Sequence, residues 1–322
     1  MSRVLVTGST GFVGSVLCPL LERAGHDVVA QVREKDDPRT PKGATSVVVP
    51  DIGPDTDWTQ ALARVEAVVH LAARVHVMKE KAGNPLAEFN RTNGAGTASL
   101  AAAAAAAGVR RFVYLSTVKV MGETSAQPFR ESDTPNPEDA YGKSKLAGEK
   151  ALIEAAGPSG METVILRAPL VYGPGVKGNV LGLLKICRLA PPLPFSAVDN
   201  RRSMIHVGNL ADAILRCLDR GEAAGQTYFV RDGEDLSTAD LIRGLAAGLG
   251  RPARLFPAPE GFLRLAGWIT GKGPEVTRVL GNLQVNDEKI RRELGWTPSV
   301  NVVQGLNETA SWFAMGKAAR KR

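Results

Sequence analysis

Tyr141 and Lys145 have the residue types and the spacing for proton transfer. They lie four residues apart in the segment YGKSK, within a stretch of helical periodicity, so they would share one face of a helix. A phenol has an unperturbed pKa of about 10, and a neighbouring ammonium stabilises its phenolate. This pair predicts a tyrosine that exchanges a proton near neutral pH. Pairs of this kind also occur by chance on amphipathic helices.

The hydroxyls of Ser116 and Thr117 are a second candidate for chemistry. They follow an apolar run that predicts a strand, RFVYL. Ligands of open α/β sheets bind at the carboxyl ends of strands, where a hydroxyl can polarise a carbonyl or an alcohol. Serine and threonine at such positions also serve as caps and turns. The presence of the tyrosine and lysine in the same chain favours the catalytic interpretation.

The glycines of VTGSTGFVG, near the N-terminus, predict a binding site for a dinucleotide. An apolar run at residues 4–6 predicts a strand, and the apolar pattern after Gly11 predicts a helix. Gly8 permits a sharp turn, Gly11 lets the backbone approach a pyrophosphate, and Gly14 lets the helix pack closely on the strand. The unpaired N–H groups of the helix would face the diphosphate. A plain turn between strand and helix is the other interpretation.

Strands and helices alternate along the first half of the chain. Strands are predicted at residues 4–6, 27–32, 46–49, 67–71, 111–116 and 162–167, and long helices at 85–107 and 137–156. This alternation predicts an α/β fold with a Rossmann-type, doubly wound parallel sheet. Clusters of proline and glycine after residue 168 indicate a smaller, irregular C-terminal substrate lobe. Residues 204–207 and 227–230 are expected to return to the main sheet.

These patterns divide the chain into domains. The predicted parts are a dinucleotide-binding domain at 1–168, rejoined by 203–232, a substrate-binding lobe at 169–202 and 233–316, and a basic tail at 317–322. With 322 residues, 44% apolar and 5% aromatic, the chain has the composition of a folded globular protein.

Charge and hydropathy exclude several classes of partner. The 40 basic and 33 acidic residues give a net charge of +7, which suits anionic small ligands or is simply a solubility feature. The charges are scattered without interleaved aromatic residues, so nucleic acid is not expected. The chain has no charged leader and no apolar run of the ~18 residues that a membrane span requires, so we expect a cytoplasmic protein with no membrane association.

The cysteines and histidines do not have the spacing of metal ligands. Cys18, Cys187 and Cys217 are far apart in apolar helical contexts, which predicts reduced core thiols. The histidines, which form no HExxH motif, are His26, His70, His76 and His206. We therefore predict no metal site.

Nearly the whole chain resembles the extended short-chain dehydrogenase/reductase family, in its NAD(P)-dependent nucleotide-sugar epimerase, reductase and dehydratase branch. The motifs that carry the resemblance are VTGSTGFVG, HLAA from His70, NGAGT from Asn93, LSTVKVMG from Leu115, YGKSK from Tyr141, LRAPLVYGPG from Leu166, NRRSMIHVGNLADAI from Asn200 and KIRRELGWTP from Lys289. The resemblance implies a catalytic triad of Thr117, Tyr141 and Lys145. Thr117 is preferred to Ser116 because it lies five residues before Gly122, as in the family's pattern.

The resemblance also implies residues that bind the cofactor, NADP or NAD. Val32 and Arg33 stand where the family has an acid for a free 2′-hydroxyl, and a cation suits a 2′-phosphate, so NADP is favoured. The nearby acids Glu34 and Asp36 weaken that preference. Asp51 resembles the acid that holds the adenine, or it is only a turn aspartate. The implied cofactor-binding residues are Gly8, Thr10, Gly11, Phe12, Val13, Gly14, Arg33, Asp51, Ile52, Leu71, Ala72, Ala73, Asn93, Tyr141 and Lys145.

On the substrate side, the resemblance implies that Asn179 and Arg202 face a nucleotide diphosphate, with Arg278 as a further candidate. Thr117 and Tyr141 would also contact the substrate. The chain departs from the family at four points: Met121 replaces a tyrosine, Val118-Lys119 replaces an acidic or Asp-Lys pair of the dehydratases, and Ser203 and Asn209 replace aspartates. The missing carboxylate disfavours a sugar dehydratase.

The implied function is an NAD(P)-dependent oxidoreductase acting at carbon 4 of a nucleotide sugar, either a UDP-sugar 4-ketoreductase or a 4-epimerase. The family further implies a homodimer formed through the helices that flank the fifth strand. Val32-Arg33 and the segment LSTVKVMGE favour reduction slightly.

One alternative is an NADPH carbonyl reductase of the dihydroflavonol or hydroxysteroid type, which should have a more apolar pocket. Another is a non-catalytic NAD(P)-binding sensor, which the retained triad residues disfavour. The nucleotide base, the sugar and the direction of the reaction stay open.

Overall fold

The strands of the protein form one large and one small sheet. The computed structural model describes residues 1–75 and 84–318. Its strands are β1 (Arg3–Thr7), β2 (Asp27–Val32), β3 (Thr45–Val48), β4 (Ala67–His70), β5 (Arg111–Thr117), β6 (Glu162–Ala168), β7 (Leu170–Tyr172), β8 (Met204–His206) and β9 (Gln226–Phe229). Seven of them form a parallel sheet in the order β3-β2-β1-β4-β5-β6-β9. The strand order reverses between β1 and β4, which opens a crevice for a ligand at their carboxyl ends. The predicted α/β, doubly wound fold is confirmed.

Helices cover both faces of this sheet and build the lobe. They are α1 (Gly14–Arg23), α2 (Pro85–Asn90), α3 (Gly96–Ala106), α4 (Ala140–Ser159), α5 (Gly178–Leu189), α6 (Val207–Asp219), α7 (Thr238–Gly248), α8 (Glu260–Ile269), α9 (Gly273–Leu280), α10 (Glu288–Leu294) and α11 (Val302–Ala318). A π-helical turn at Arg91–Ala95 joins α2 to α3, so the helix predicted at 85–107 has three parts. The helix predicted from 137 begins at Ala140, because the Asp139 side chain accepts a hydrogen bond of 2.6 Å from the Gly142 N–H.

Alternating side chains of the strands fill two apolar layers. Val4 and Val6 of β1 pack with Leu17 of α1 and with α6 on one face of the sheet. Leu5, on the opposite face, packs with Leu100 of α3 and with α4. All five residues are buried, as expected for a parallel sheet that is covered on both sides.

The prediction that residues 204–207 join the main sheet is wrong. Pro169, which lacks a backbone donor, follows β6, and β7 and β8 pair with each other in a separate parallel sheet. Only β9 returns, and it pairs in parallel with β6. The lobe around β7 has its own apolar cluster, which includes Tyr172, Leu184 and Leu306. The division into two domains stays a prediction.

Several sequence predictions concern single residues or segments. The three cysteines are buried free thiols, and burial raises the pKa of Cys18 to about 12. In the part of the chain that the structure covers, no helix is both long and apolar enough to cross a membrane. His76 and residues 319–322 of the predicted basic tail lie outside the described residues.

Candidate active site

The glycine-rich turn after β1 has the compact backbone that a diphosphate requires. Gly8 has a φ of +69°, and a Cβ there would lie 2.9 Å from the Ala72 nitrogen. The Gly11 N–H donates a hydrogen bond of 2.9 Å to the Gly8 carbonyl, which closes the turn. A Cβ on Gly11 would lie only 3.0 Å from that carbonyl, and one on Gly14, the first residue of α1, would collide with it. A side chain at any of these three glycines, which we call the cradle, would meet the neighbouring backbone. The turn is therefore compact enough for a dinucleotide to bind at the N-terminus of α1.

Gln31, which the sequence analysis missed, connects this turn to its surroundings. Its side-chain oxygen accepts a hydrogen bond of 3.0 Å from the Gly8 N–H, and its amide donates one of 2.7 Å to the Val49 carbonyl. The Ser9 hydroxyl donates to the Gln31 carbonyl at 2.6 Å. A buried amide inside the otherwise apolar run VVAQV was the signal for this role.

The residues around the end of β2 carry charges of both signs. Val32 is buried and Arg33 is exposed. Asp51 is exposed and forms an ion pair with Arg91, whose hydrogen bond lowers the pKa of that carboxyl, and the charge of Arg33 acts in the same direction. Ile52 is buried, where it packs against Gly96 at the start of α3. Arg33 and Asp51 therefore lie near each other, as a site for the adenine ribose would require.

The end of β4 is joined to α4 by Asn93. The Asn93 side chain accepts a hydrogen bond of 2.8 Å from the Arg74 N–H and donates to the Arg74 carbonyl and to the Ser144 hydroxyl, at 2.9 and 3.0 Å. The remaining cofactor candidates are half-buried residues around the glycine turn and after β4, namely Thr10, Phe12, Val13, Leu71, Ala72 and Ala73.

The first turn of α4, which contains Tyr141, packs against the turn that follows Thr117 at the end of β5. A Cβ on Gly142 would lie 2.5 Å from the Lys119 carbonyl, so only a glycine allows the close approach. Thr117 ends β5 in an extended conformation, and its hydroxyl accepts a hydrogen bond of 3.3 Å from the Lys119 N–H. Tyr141 is half-buried, with its ring edge-to-face against Phe89 at 6.1 Å.

Lys145, one turn further along α4, is almost completely buried. Its Nζ lies 3.9 Å from the centre of the Tyr114 ring. Burial lowers the pKa of Lys145 to about 7, although the charge of Glu149 opposes the shift. Burial, followed by the charge of Asp139, raises the pKa of Tyr141. Both shifts favour the neutral forms, so Tyr141 is a phenol with a proton to donate.

His70 fills the space beneath Lys145 as a neutral ring. Its Nδ1 lies 2.6 Å from the Thr7 hydroxyl and its Nε2 lies 3.1 Å from the Thr97 hydroxyl. Burial, with a further contribution from the charge of Lys145, lowers the pKa of His70 to about 3. The ring stacks on Tyr114 with centroids 5.5 Å apart, so it supports the ring that Lys145 contacts.

The Ser116 hydroxyl is hydrogen-bonded to a buried ion pair. Its hydroxyl donates to Glu149, which also pairs with Arg167 at 2.7 Å. The sulfur of Met121, the residue that replaces the family's tyrosine, accepts a hydrogen bond of 3.2 Å from the same guanidinium. Thr117, and not Ser116, is therefore the hydroxyl that faces away from this cluster.

Two of the three substrate candidates lie together. Arg202 donates hydrogen bonds of 2.7 and 3.0 Å to the carbonyls of Arg278 and Gly281. Asn179 is exposed near the start of α5, and no hydrogen bond or ion pair joins it to either arginine among the residues that the structure describes. The structure thus groups the two arginines and leaves the asparagine apart.

The departure at Asn209 has a structural explanation. The Asn209 amide donates hydrogen bonds of 2.7 Å to the Asp232 carboxylate and to the Val300 carbonyl. Asp232 also accepts from the Tyr172 hydroxyl at 2.7 Å and from the His206 N–H. An aspartate at 209 could not donate, and it would place a second carboxylate beside a buried one whose pKa burial already raises.

The described part of the chain holds no candidate metal cluster, and it has a cavity away from this site. No group of three or more His, Cys, Asp or Glu side chains there could hold a metal ion. A cavity of about 1220 Å³ runs along α11 between Pro174 and Trp312, and none of the predicted site residues line it.

Comparisons with known proteins show the family and the fold. The model of a family described as the NAD dependent epimerase/dehydratase family matches residues 4–230. The chain is 40% identical to a UDP-glucose 4-epimerase of Vibrio cholerae, over 96% of this chain and 95% of that protein. Among solved structures, it is similar to a UDP-N-acetylglucosamine 4-epimerase from Bacillus cereus, with a TM-score of 0.79, 20% identity, and coverage of 98% and 100% of the two chains. It is also similar to MoeE5 in complex with UDP-glucuronic acid and NAD, with a TM-score of 0.77, 24% identity, and coverage of 98% and 99%.

Proposed function

The chain belongs to the NAD dependent epimerase/dehydratase family, and from that membership we propose that it is a UDP-sugar 4-epimerase. The observation that carries the proposal is the packing of Gly142 on the Lys119 carbonyl, which joins the first turn of α4, with Tyr141, to the turn that follows Thr117. The similarity to the epimerase of Vibrio cholerae, over nearly the full length of both chains, supports the same reaction.

The residues of the chain supply proton transfer and orientation. A nicotinamide dinucleotide, held by the cradle of Gly8, Gly11 and Gly14, supplies hydride transfer when it is bound. The phenolate form of Tyr141 takes the proton of the sugar 4-hydroxyl, and the phenol that results later returns it, so no proton is consumed in a full turnover. Lys145 stabilises the phenolate form in the steps where it is charged. The Thr117 hydroxyl hydrogen-bonds the same sugar oxygen and orients it.

Reduction of a 4-keto sugar is the second candidate, and Val32-Arg33 is the observation that favours it. A reductase draws on free NADPH in every turnover, and a cation without a carboxylate at the end of β2 suits the 2′-phosphate of that cofactor. Tyr141 would then donate a proton to the keto oxygen and recover one from solvent. The two activities use the same triad and differ in whether cofactor is consumed.

The proposed function is tested by incubating the purified protein with UDP-glucose and UDP-N-acetylglucosamine. We expect formation of the carbon-4 epimer of at least one of them without net oxidation or reduction of added cofactor. Stoichiometric oxidation of NADPH with a UDP-4-keto-6-deoxy sugar, and no epimer from either hexose, would assign the reductase instead. Turnover of none of these substrates contradicts both candidates.

The preference between NAD and NADP is tested at Arg33. MoeE5 was solved with NAD, whereas Arg33 suits NADP. If Arg33 binds the 2′-phosphate, Arg33→Ala weakens NADPH binding by roughly 1.5–3 kcal/mol, or about one to two decades in Kd, and leaves NADH binding unchanged. Lys35→Ala removes the same charge from an exposed position two residues away and is the matched control. Equal loss for both cofactors in the Arg33 variant would exclude the 2′-phosphate as its partner.

A further inference from the structure

A row of alternating charges runs from the first turn of α4 to α9. The Asp139 carboxylate, which caps α4, lies 2.6 Å from the Lys119 ammonium. The same ammonium lies 2.7 Å from one oxygen of Glu123, and the other oxygen lies 3.4 Å from Arg278 Nε. The Glu123 side chain is only 16% exposed, so this carboxylate interacts with its cations in partial isolation from water.

Glu123 therefore interacts with the two arginines for which the family resemblance implies a role at the diphosphate. It pairs directly with Arg278, whose carbonyl accepts a hydrogen bond from Arg202. Burial lowers the pKa of the Arg202 guanidinium, and the charge of Glu123 opposes that shift, so the carboxylate is electrostatically coupled to both arginines. The Glu123 carboxylate therefore interacts with the two arginines as a bound anion would.

We propose that Glu123 is a specificity-determining residue that competes with the diphosphate of the ligand for Arg278. A carboxylate and a diphosphate within reach of one guanidinium repel each other, so a ligand must interact with Arg278 more strongly than Glu123 does. Lys119, itself held by Asp139, keeps the carboxylate in place when Arg278 turns to the ligand. Ligands with a doubly charged diphosphate are thereby selected over ligands with weaker anions. The inference rests on the proposed function, because a UDP-sugar substrate carries the diphosphate that Arg278 would bind.

The test is calorimetric titration of the protein and its variants with UDP, the shared part of the proposed substrates. In Glu123→Gln the competing charge is lost, and we expect the Kd for UDP to fall by about three- to tenfold. Glu275→Gln is the matched control: it removes the same charge from an exposed position on α9, three residues before Arg278, and no ion pair joins the two residues in the described structure. Its Kd should stay within about twofold of the wild-type value.

If Glu123 had only a structural role, its substitution would weaken the binding of UDP. The direction of the change in Kd therefore distinguishes a structural role from competition with the ligand. An unchanged or higher Kd in Glu123→Gln, or an equal gain in Glu275→Gln, overturns the proposal. If Glu123→Gln does not fold, Glu123→Asp, whose shorter side chain draws back from Arg278, should give a smaller gain of the same sign, and a loss would overturn the proposal. If the wild type binds UDP and the Glu123 variants bind it no more tightly, this inference alone is contradicted. If neither the wild type nor any variant binds UDP, the proposed function is contradicted as well.

Discussion

At the scale of single residues, burial sets the properties of the proposed catalytic pair. Lys145 lies against the Tyr114 ring with its charge removed from water, and Tyr141 is desolvated beside Asp139. Both groups therefore favour their neutral forms, and the ion pair of an ammonium with a phenolate is favoured only when both charges form together. This coupling suits a tyrosine that alternates between acid and base in the two halves of a turnover.

The cost of charging Lys145 predicts a pH-dependent stability. Its folded pKa of about 7 lies below the ordinary 10.5, so between these values the unfolded chain binds more protons and stability rises with pH. The full cost is present below about pH 7. Lys145→Met should therefore be more stable than the wild type at about pH 6, by an amount on the order of a few kcal/mol, and the difference should shrink towards about pH 10.

Urea unfolding of both proteins across that pH range measures this difference. The comparison between the two proteins cancels the contributions of the groups that they share. A difference that does not change with pH, or a variant that is less stable at about pH 6, would show that Lys145 is not charged at a cost in the folded state.

At the scale of elements, α4 is the helix on which the site depends. Two of its glycines meet neighbouring backbone: Gly142 meets the turn after β5, and Gly148 meets the Asn93 carbonyl and the Tyr114 hydroxyl. Any side chain at these positions would push the helix away from β5. Lys145 lies between them and Tyr141 directly precedes Gly142, so the two contacts fix the part of α4 that carries the pair.

Gly148→Ala tests this placement. The added Cβ would lie 2.5 Å from the Asn93 carbonyl, so we expect a loss of about 1–3 kcal/mol in the free energy of unfolding and a lower turnover, because α4 must shift. Gly182→Ala, inside α5 with open space around it, is the control and should gain about 0.5–1 kcal/mol without a change in turnover. Similar effects of the two substitutions on turnover would show that α4 tolerates the shift.

The elements near the glycine turn and YGKSK could be predicted because their signals are local. Strand, turn, helix and the i, i+4 pair all follow from neighbouring residues, and the structure has each of these elements. The contacts of Gln31, Glu123 and the Glu149–Arg167 pair could not be predicted, because each joins residues that only the tertiary fold brings together. The pairing of β8 with β7 was missed for the same reason: a three-residue strand carries no signal of its partner.

At the scale of the whole molecule, one buried polar cluster connects the sheet to the lobe. Asp232, just after β9, accepts from Tyr172 of β7 and from Asn209 of α6, and Asn209 also donates to the Val300 carbonyl before α11. Asp232 therefore bonds directly to β7 and α6, and Asn209 extends the cluster to the segment before α11. This cluster ties the proposed lobe, with its two arginines, to the sheet beside the proposed triad. The homodimer stays a prediction.

Transfer of the sugar 4-hydroxyl proton by Tyr141 is tested by the substitution Tyr141→Phe. Phenylalanine retains the ring that contacts Phe89 and removes only the hydroxyl. The measurement is the rate of carbon-4 epimer formation from the UDP-hexose that the wild type converts, together with the Kd of the cofactor. We predict that turnover falls by about 10²-fold or more while the Kd of the cofactor stays nearly unchanged, because positioned proton transfer contributes ~10²–10⁴-fold to the rate. Wild-type turnover in Tyr141→Phe would show that Tyr141 does not transfer this proton.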